Sequence, residues 1–485
     1  MTYQRLTGLF LALALLASCG GQQAAAPTAS PPTATSSQAA TSAPQAATPQ
    51  ASAAPDATSA TATGPVSDTI TFEQPPEWAR GAVMYQLFVR VFTPEGTLAA
   101  ATARLPEIRD LGIDIVYLLP IQPIGQERRK GALGSPYSIR DYRAIDPALG
   151  TTQEYHAFVD KAHALGMRVI MDLVANHTAW DNPLTTQHPD WYTHNAIGAI
   201  SSPQPEWTDV ADLNYDNPDL RQYMIDTSLY WVEEFGIDGF RCDVSEAVPS
   251  DFWLAWRSAL KAQRADLLLL SESEGVQMYK AGFEVAYDWA TSPAFIKALL
   301  APNLGRQAIS QIAFEQKQYG PDMWRMRYLE NHDHDRIAAA LLDPRQRQVG
   351  AAFLLTIPGI PLIYAGQEIG AKERPSLFDP FTVDFANGDA ALRAAYKTLI
   401  RVRHESPALR ANRFARVQGM PRSVLMYERS AADQRVIVLI NLDDAPAEAT
   451  PEGVGKGRDL VSGEAVDLSA GVALDAFGYR IVALE

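Results

Sequence analysis

Cysteine is almost absent from this chain: Cys19 and Cys242 are the two among 485 residues. They supply neither a disulfide framework nor a zinc cluster of Cys and His. Stability must come from packing. A chain this long and 47% hydrophobic can provide it, over more than one domain. Basic runs are missing as well. Lys and Arg number 41 against 56 Asp and Glu, a net charge of −15. Nucleic-acid binding needs cationic patches facing phosphates, so no nucleic-acid partner is expected. A neutral or small polar partner fits better. Long apolar runs are lacking too, with one short exception at the N-terminus, and there is no internal repeat.

The exception spans residues 6–16, after the positive Arg5. It is too short to cross a bilayer as a mature helix and has the layout of an export signal. It ends Leu16-Ala17-Ser18-Cys19. That ending resembles the bacterial lipobox. The resemblance implies a signal peptide over 1–19, a lipid on Cys19, and attachment to a membrane through that lipid. An ordinary secretory signal with a chance cysteine is the alternative. Residues 20–66 are almost entirely Ala, Ser, Thr, Pro, Gln and Gly. That composition buries no core and predicts a disordered linker, as a tether behind a lipid anchor requires. The expected location is exported and lipid-anchored, at the bacterial cell envelope or surface.

From about residue 78 short apolar runs alternate with helical stretches. Candidate strands cover 83–89, 113–119, 168–174, 237–243, 267–272, 283–287, 326–329 and 361–365. Helical patterns such as "LAAATARLPEIRDLG" and "NPDLRQYMIDTSLYWVEEFG" lie between them and end on glycine, a common helix stop. Strands alternating with helices mean βα units and a parallel sheet. Eight of them predict an α/β fold, a (β/α)8 TIM barrel over 78–404. An irregular stretch at about 176–217, rich in Trp, Pro, His and Asn, reads as a small insertion after the third strand. Short alternating runs such as "RVIVLINL" predict a C-terminal antiparallel β domain over 412–485.

Several of these strands end in residues that do not belong in a core. The third gives "MDLVANHT", with Asp172, Asn176 and His177. The fourth gives "GFRCD", with Arg241 and Asp243. The fifth gives "LLLLSESE", with Glu272 and Glu274, and the seventh "LENHDHDR", with Glu330, His332, Asp333 and Arg336. One such end reads as a structural ion pair. Four together are much harder to explain that way, because in a (β/α)8 barrel all of them converge on one face, where active sites lie. Carboxylates flanking a glycosidic bond act as nucleophile and general acid/base. Arg241, two residues before Asp243 on a strand, points to the same face and would keep it ionised. Glu272 and Glu274 share their parity, so alternation alone does not choose between them. Glu272 directly follows the apolar run, and Glu274 is expected farther out, at the rim. Cys242 faces away from both charged neighbours and has a packing role.

These segments, in this order, resemble the conserved regions of the α-amylase family of glycoside hydrolases, glycoside hydrolase family 13. The resemblance covers about residues 80–480. It includes "VMYQLFVRVF", "GSPYSIRDYRAIDPALGT", "WTDVADLNYDNPDLR" and "GIPLIYAGQEIG" besides the four strand ends. It implies Asp243 as nucleophile, Glu272 as acid/base and Asp333 as transition-state stabiliser. Tyr137 would stack on the sugar, with His177, Arg241 and His332 binding around it. No cofactor is needed for that chemistry. Calcium stays open: Asn176 matches a frequent ligand, but Glu246 and Ala247 stand where relatives often have Lys-His, and "TPEGT" lacks an acidic calcium loop. Of Trp180, Trp191, Tyr192 and Trp207, packing is expected for most and a sugar contact for one. The implied function is retaining hydrolysis of internal α-1,4 bonds in starch, glycogen or maltodextrins. The alternatives are an exo-acting α-glucosidase, a transglycosylase or a glucosyl isomerase with the same machinery, or a non-catalytic glucan-binding protein. The carboxylate trio speaks against the last.

Overall fold

The computed structural model describes residues 70–485. The expected signal peptide, lipobox Cys19 and linker 20–66 lie outside the described residues. Eight parallel strands close on themselves in chain order. They are Met84–Leu87, Ile115–Leu118, Arg168–Leu173, Gly239–Cys242, Leu268–Ser271, Val285–Tyr287, Trp324–Tyr328 and Ile360–Tyr364. The first pairs with the eighth through Met84 opposite Leu362, which completes the (β/α)8 barrel.

Local sequence sets the helices between them. Thr151 and Glu154 form a reciprocal capping box at the start of Thr152–Ala164. Asn217 caps Pro218–Phe235, where proline at the first turn costs no hydrogen bond. Gly112 and Gly236 end their helices in the left-handed conformation. The strands bury both faces. Ile115, Ile170, Leu268, Leu270, Met326 and Leu362 are among the side chains filling the barrel, while alternate residues pack against the surrounding helices. The first strand stops at Leu87, earlier than expected, because Val89–Phe92 turn helical.

After the third strand the chain makes an antiparallel excursion, His177–Ala179 paired with Val210–Asp212. Beyond the helix Ala390–Glu405, six strands form an antiparallel sheet, with a two-stranded sheet beside it. In the six-stranded sheet, the strands Val424–Ser430 and Arg435–Asn441 are largely buried on both faces. Met426, Ile437 and Leu439 pack in a core of that domain, and Leu425, Tyr427 and Val438 join the core shared with the barrel helices. Among the described residues no helix is long and apolar enough to cross a membrane.

Candidate active site

Gly239 makes the fourth strand possible at its closest approach to the fifth: a Cβ there would stand 2.1 Å from the Leu268 carbonyl oxygen. Two residues on, Arg241 lies opposite Asp172 of the third strand and Leu270 of the fifth. Its side chain is completely buried. Nη1 donates to Asp172 at 2.5 Å and to Asp243 at 2.9 Å, and Nε donates to the Tyr287 hydroxyl at 3.1 Å. Nη2 pairs with Glu272. One fixed positive charge therefore serves three carboxylates from three neighbouring strand ends.

The network spreads sideways. Asp172 Oδ2 accepts from the hydroxyls of Tyr117 at 2.7 Å and Tyr137 at 3.0 Å. The Tyr137 hydroxyl also meets His332 Nε2 at 2.6 Å, with the two rings stacked at 5.4 Å. The other ring nitrogen of His332 lies 2.9 Å from the Gln86 amide. Val244, directly after Asp243, is held at φ +41°, a left-handed conformation that is unusual for a β-branched residue. That strain turns its N–H onto Glu272 Oε2 at 2.8 Å.

Burial raises Asp243 to about 7 against the pull of Arg241. Burial raises Glu272 well above the usual carboxylate range, again opposed by Arg241. Two carboxyls on one guanidinium titrate as a pair. Both are raised, so the pair holds a proton to higher pH than free carboxyls do. Such a pair supplies a proton donor and a nucleophile side by side. Burial lowers His332, and it lowers His177 to about 4, so both imidazoles are neutral at neutral pH.

Asp243, Glu272 and Asp333 line one cleft of about 310 Å³ together with Tyr137, His177 and His332. Arg241 departs from expectation. Expected as a sugar contact, it lies fully buried beneath the cleft, where its donors reach protein carboxylates instead. Glu274 departs too. The fifth strand ends at Ser271, so the chain turns before Glu274 can stand at the rim. Its carbonyl accepts from Arg325, and one carboxylate oxygen is buried without a hydrogen bond. Cys242 is buried in the core as expected. Trp191 stacks on His188 and Trp180 lies under Arg128, whereas Trp207 lines the cleft, 5.7 Å from His177.

Sequence reading missed Tyr117, Tyr287 and Gln86, which brace the site from strands whose ends looked apolar. Their inward parity was the available signal. It also missed Lys130, Asp209, Trp289 and Phe378, cleft residues on loops without periodicity. A calcium cage needs six to eight oxygens, several from carboxylates. Among the described residues no group of three or more His, Cys, Asp or Glu gathers in that way. Asn176 instead sets its amide nitrogen 3.3 Å from His177 Nδ1.

Residues 59–389 match the family model described as alpha amylase, catalytic domain. An alpha-amylase from Haloarcula japonica is 30% identical over 84% of this chain, and the match spans 64% of that relative's length. The crystal structure of an alpha-amylase from Lactobacillus plantarum superposes with a TM-score of 0.77 at 33% identity, covering 84% of this chain and 100% of that one. A noncanonic maltogenic alpha-amylase from Thermotoga neapolitana gives a TM-score of 0.75 at 31% identity, covering 84% and 97%.

Proposed function

The chain belongs to the α-amylase family and is a glycoside hydrolase, and from that premise we propose that it cleaves internal α-1,4-glucosidic bonds with retention of configuration. The observation behind this reading is the single buried guanidinium that holds Asp243 and Glu272 together. Oxygens bound to neighbouring nitrogens of one guanidinium lie close, in keeping with the about 5–5.5 Å of retaining pairs. Glu272 donates its proton to the glycosidic oxygen as the bond to C1 breaks. Asp243 attacks C1 and forms the glycosyl-enzyme. Glu272, now ionised, takes a proton from water, which attacks C1 and releases Asp243. Asp333, facing the same cleft, stabilises the positive charge that develops on the ring. Proton NMR of fresh products from maltodextrin tests this: the α-anomer appears first, and early β-anomer rejects the covalent route.

One observation favours a second reading, action on short chains from their ends. The cleft, at about 310 Å³, is at the small end for a ligand site. Thin-layer separation of products from soluble starch, maltotriose and pullulan distinguishes the two. Mixed oligosaccharides support internal cleavage, and glucose alone from the outset supports the exo-acting α-glucosidase. New longer chains or rearranged disaccharides would point to a transglycosylase or glucosyl isomerase.

The N-terminal sequence supports placing this enzyme at the cell envelope through lipidated Cys19. One acyl chain holds weakly and several hold well. The processed protein should therefore fractionate with membranes, and Cys19→Ala should release or misprocess it. Equal solubility and equal cleavage of both forms would reject the anchor.

A further inference from the structure

The cleft has unequal sides. Glu272 follows the fifth barrel strand and Asp243 the fourth. A glycosidic oxygen must lie at Glu272, so the departing part of a chain leaves on the side of the fifth and sixth strands. In the barrel order the second, third and eighth strands stand on the side of the fourth strand away from the fifth, and their loops wall the cleft where the part retained on Asp243 would extend. Those three loops are knitted together. Lys130, after the second strand, donates to the Glu206 carbonyl at 2.7 Å and pairs with Asp209 at 2.9 Å, both in the excursion after the third strand. Leu133 N–H donates to the Phe378 carbonyl at 2.7 Å, and Ala132 N–H to the Asp379 carboxylate at 3.0 Å, after the eighth. Gly131 sits so close that a Cβ would stand 2.6 Å from that of Phe378.

Lys130, Asp209, Trp207 and Phe378 all face the cleft, beside His177 and Tyr137. The Asp209 side chain is 7% exposed and that of Lys130 35%. An ammonium has three donors and a carboxylate about four acceptor sites. Among the described residues two oxygens meet the ammonium, which leaves a donor on Lys130 and acceptor capacity on Asp209 toward the cleft. Adjacent hydroxyls on a sugar ring, each both donor and acceptor, match that pair. Trp207 and Phe378 offer apolar surface to the ring face.

We infer that Lys130 and Asp209 form the polar edge of a subsite for the second glucose ring, the one next to the reacting ring on the retained side. This rests on the hydrolase reading above and names the residues that would grip the chain. The subsite holds a second ring and does nothing for a lone one.

Paired fluoride substrates test it, because fluoride leaves without much help. α-Glucosyl fluoride presents one ring and α-maltosyl fluoride presents two. A charged hydrogen bond is worth about 1.5–3 kcal/mol, or roughly 10–100-fold. In Lys130→Ala the ratio of kcat/KM for the two-ring over the one-ring substrate should fall by about 10-fold or more, chiefly through KM. Asp209→Asn should move the same ratio in the same direction. Lys130→Gln, which keeps length and a donor, should fall less, and it replaces Lys130→Ala if that variant melts early. An unchanged ratio in the folded variants would overturn the subsite. Wild-type protein inert toward both fluorides and maltodextrin would instead overturn the hydrolase reading.

Discussion

Two buried arginine–carboxylate clusters stand a few strands apart in this barrel, and they are built on opposite principles. At the cleft, Arg241 alone faces Asp172, Asp243 and Glu272. Behind the seventh strand, Arg325 and Arg327 face Glu315 and Asp288. The second cluster is balanced and sealed. Arg325 Nη1 also donates to the Tyr287 carbonyl at 2.9 Å, and Arg327 Nε to the Pro358 carbonyl at 2.8 Å. The pKa values follow the bookkeeping of charge. Burial raises Asp288, but Arg327, Thr291 and Arg325 more than reverse this, and it ends below the usual range. Asp243 and Glu272 end above it. A deficit of positive charge beside open space marks a group poised to react, whereas a balanced pair marks structure.

The largest effect should come from the unbalanced cluster. Asp243→Asn removes the group proposed to attack C1. Losing one member of a catalytic set typically costs about 10⁴–10⁶-fold in kcat. Hydrolysis of maltodextrin should fall by at least about 10⁴-fold while the circular-dichroism spectrum stays native. Residual activity within about tenfold of wild type would remove Asp243 from the chemistry.

Glu272 against Glu274 sharpens the comparison within one loop, since Glu274 belongs to the surroundings of the sealed cluster. General acid catalysis is typically worth about 10²–10⁴-fold. Glu272→Gln should lose that much on starch and far less on α-glucosyl fluoride, whose leaving group needs little protonation. Glu274→Gln should lose much less on starch. If Glu274→Gln were the crippled variant, the acid would be misassigned.

These pairs also mark how far the sequence could be read. Strand alternation placed Arg241 and Asp243 on one face, and the convergence of barrel strand ends brought Asp172, Glu272, His332 and Asp333 to them. Both rules depend on local periodicity, so both are legible in residues a few positions apart. Glu274 was not legible, because its position depends on where the fifth strand stops and turns. Arg325 and Arg327 alternate with Met326, which reads as a charged outer face. The helix Ser310–Tyr319 carries Glu315 onto that face and pairs it with them. Lys130 meets Asp209 across 79 positions of irregular chain, and no period connects them.

The sealed cluster should respond in stability. Glu315 bonds both arginines, at 3.0 Å and 2.8 Å. Removing one partner from a buried ionic network typically costs about 3–5 kcal/mol. Glu315→Gln should lose about that much in urea unfolding, with kcat of the folded fraction near wild type. A loss of kcat without a loss of stability would mean this cluster, too, serves the reaction.

The subtlest distinction is the sign of the pH dependence. Asp243 has an ordinary value of 3.8 and a folded value of about 7. Between those values the folded protein binds more protons than the unfolded chain, so this group lowers stability as pH rises through the window. Asp288 does the reverse. Its folded value is depressed below 3.8, so its contribution is full above about 4 and disappears as pH falls through the folded value. Asn carries neither dependence. Asp243→Asn should therefore match wild type near pH 4 and become more stable than it near pH 7.5. The gain should be at least the roughly 1.4 kcal/mol equivalent to one pKa unit. Asp288→Asn should be less stable than wild type at neutral pH, with the gap closing on acidification. Thermal melts of the three proteins across that range decide the matter. Parallel destabilisation of both variants at every pH would make Asp243 an ordinary paired carboxylate, and the contrast between the two clusters would fail.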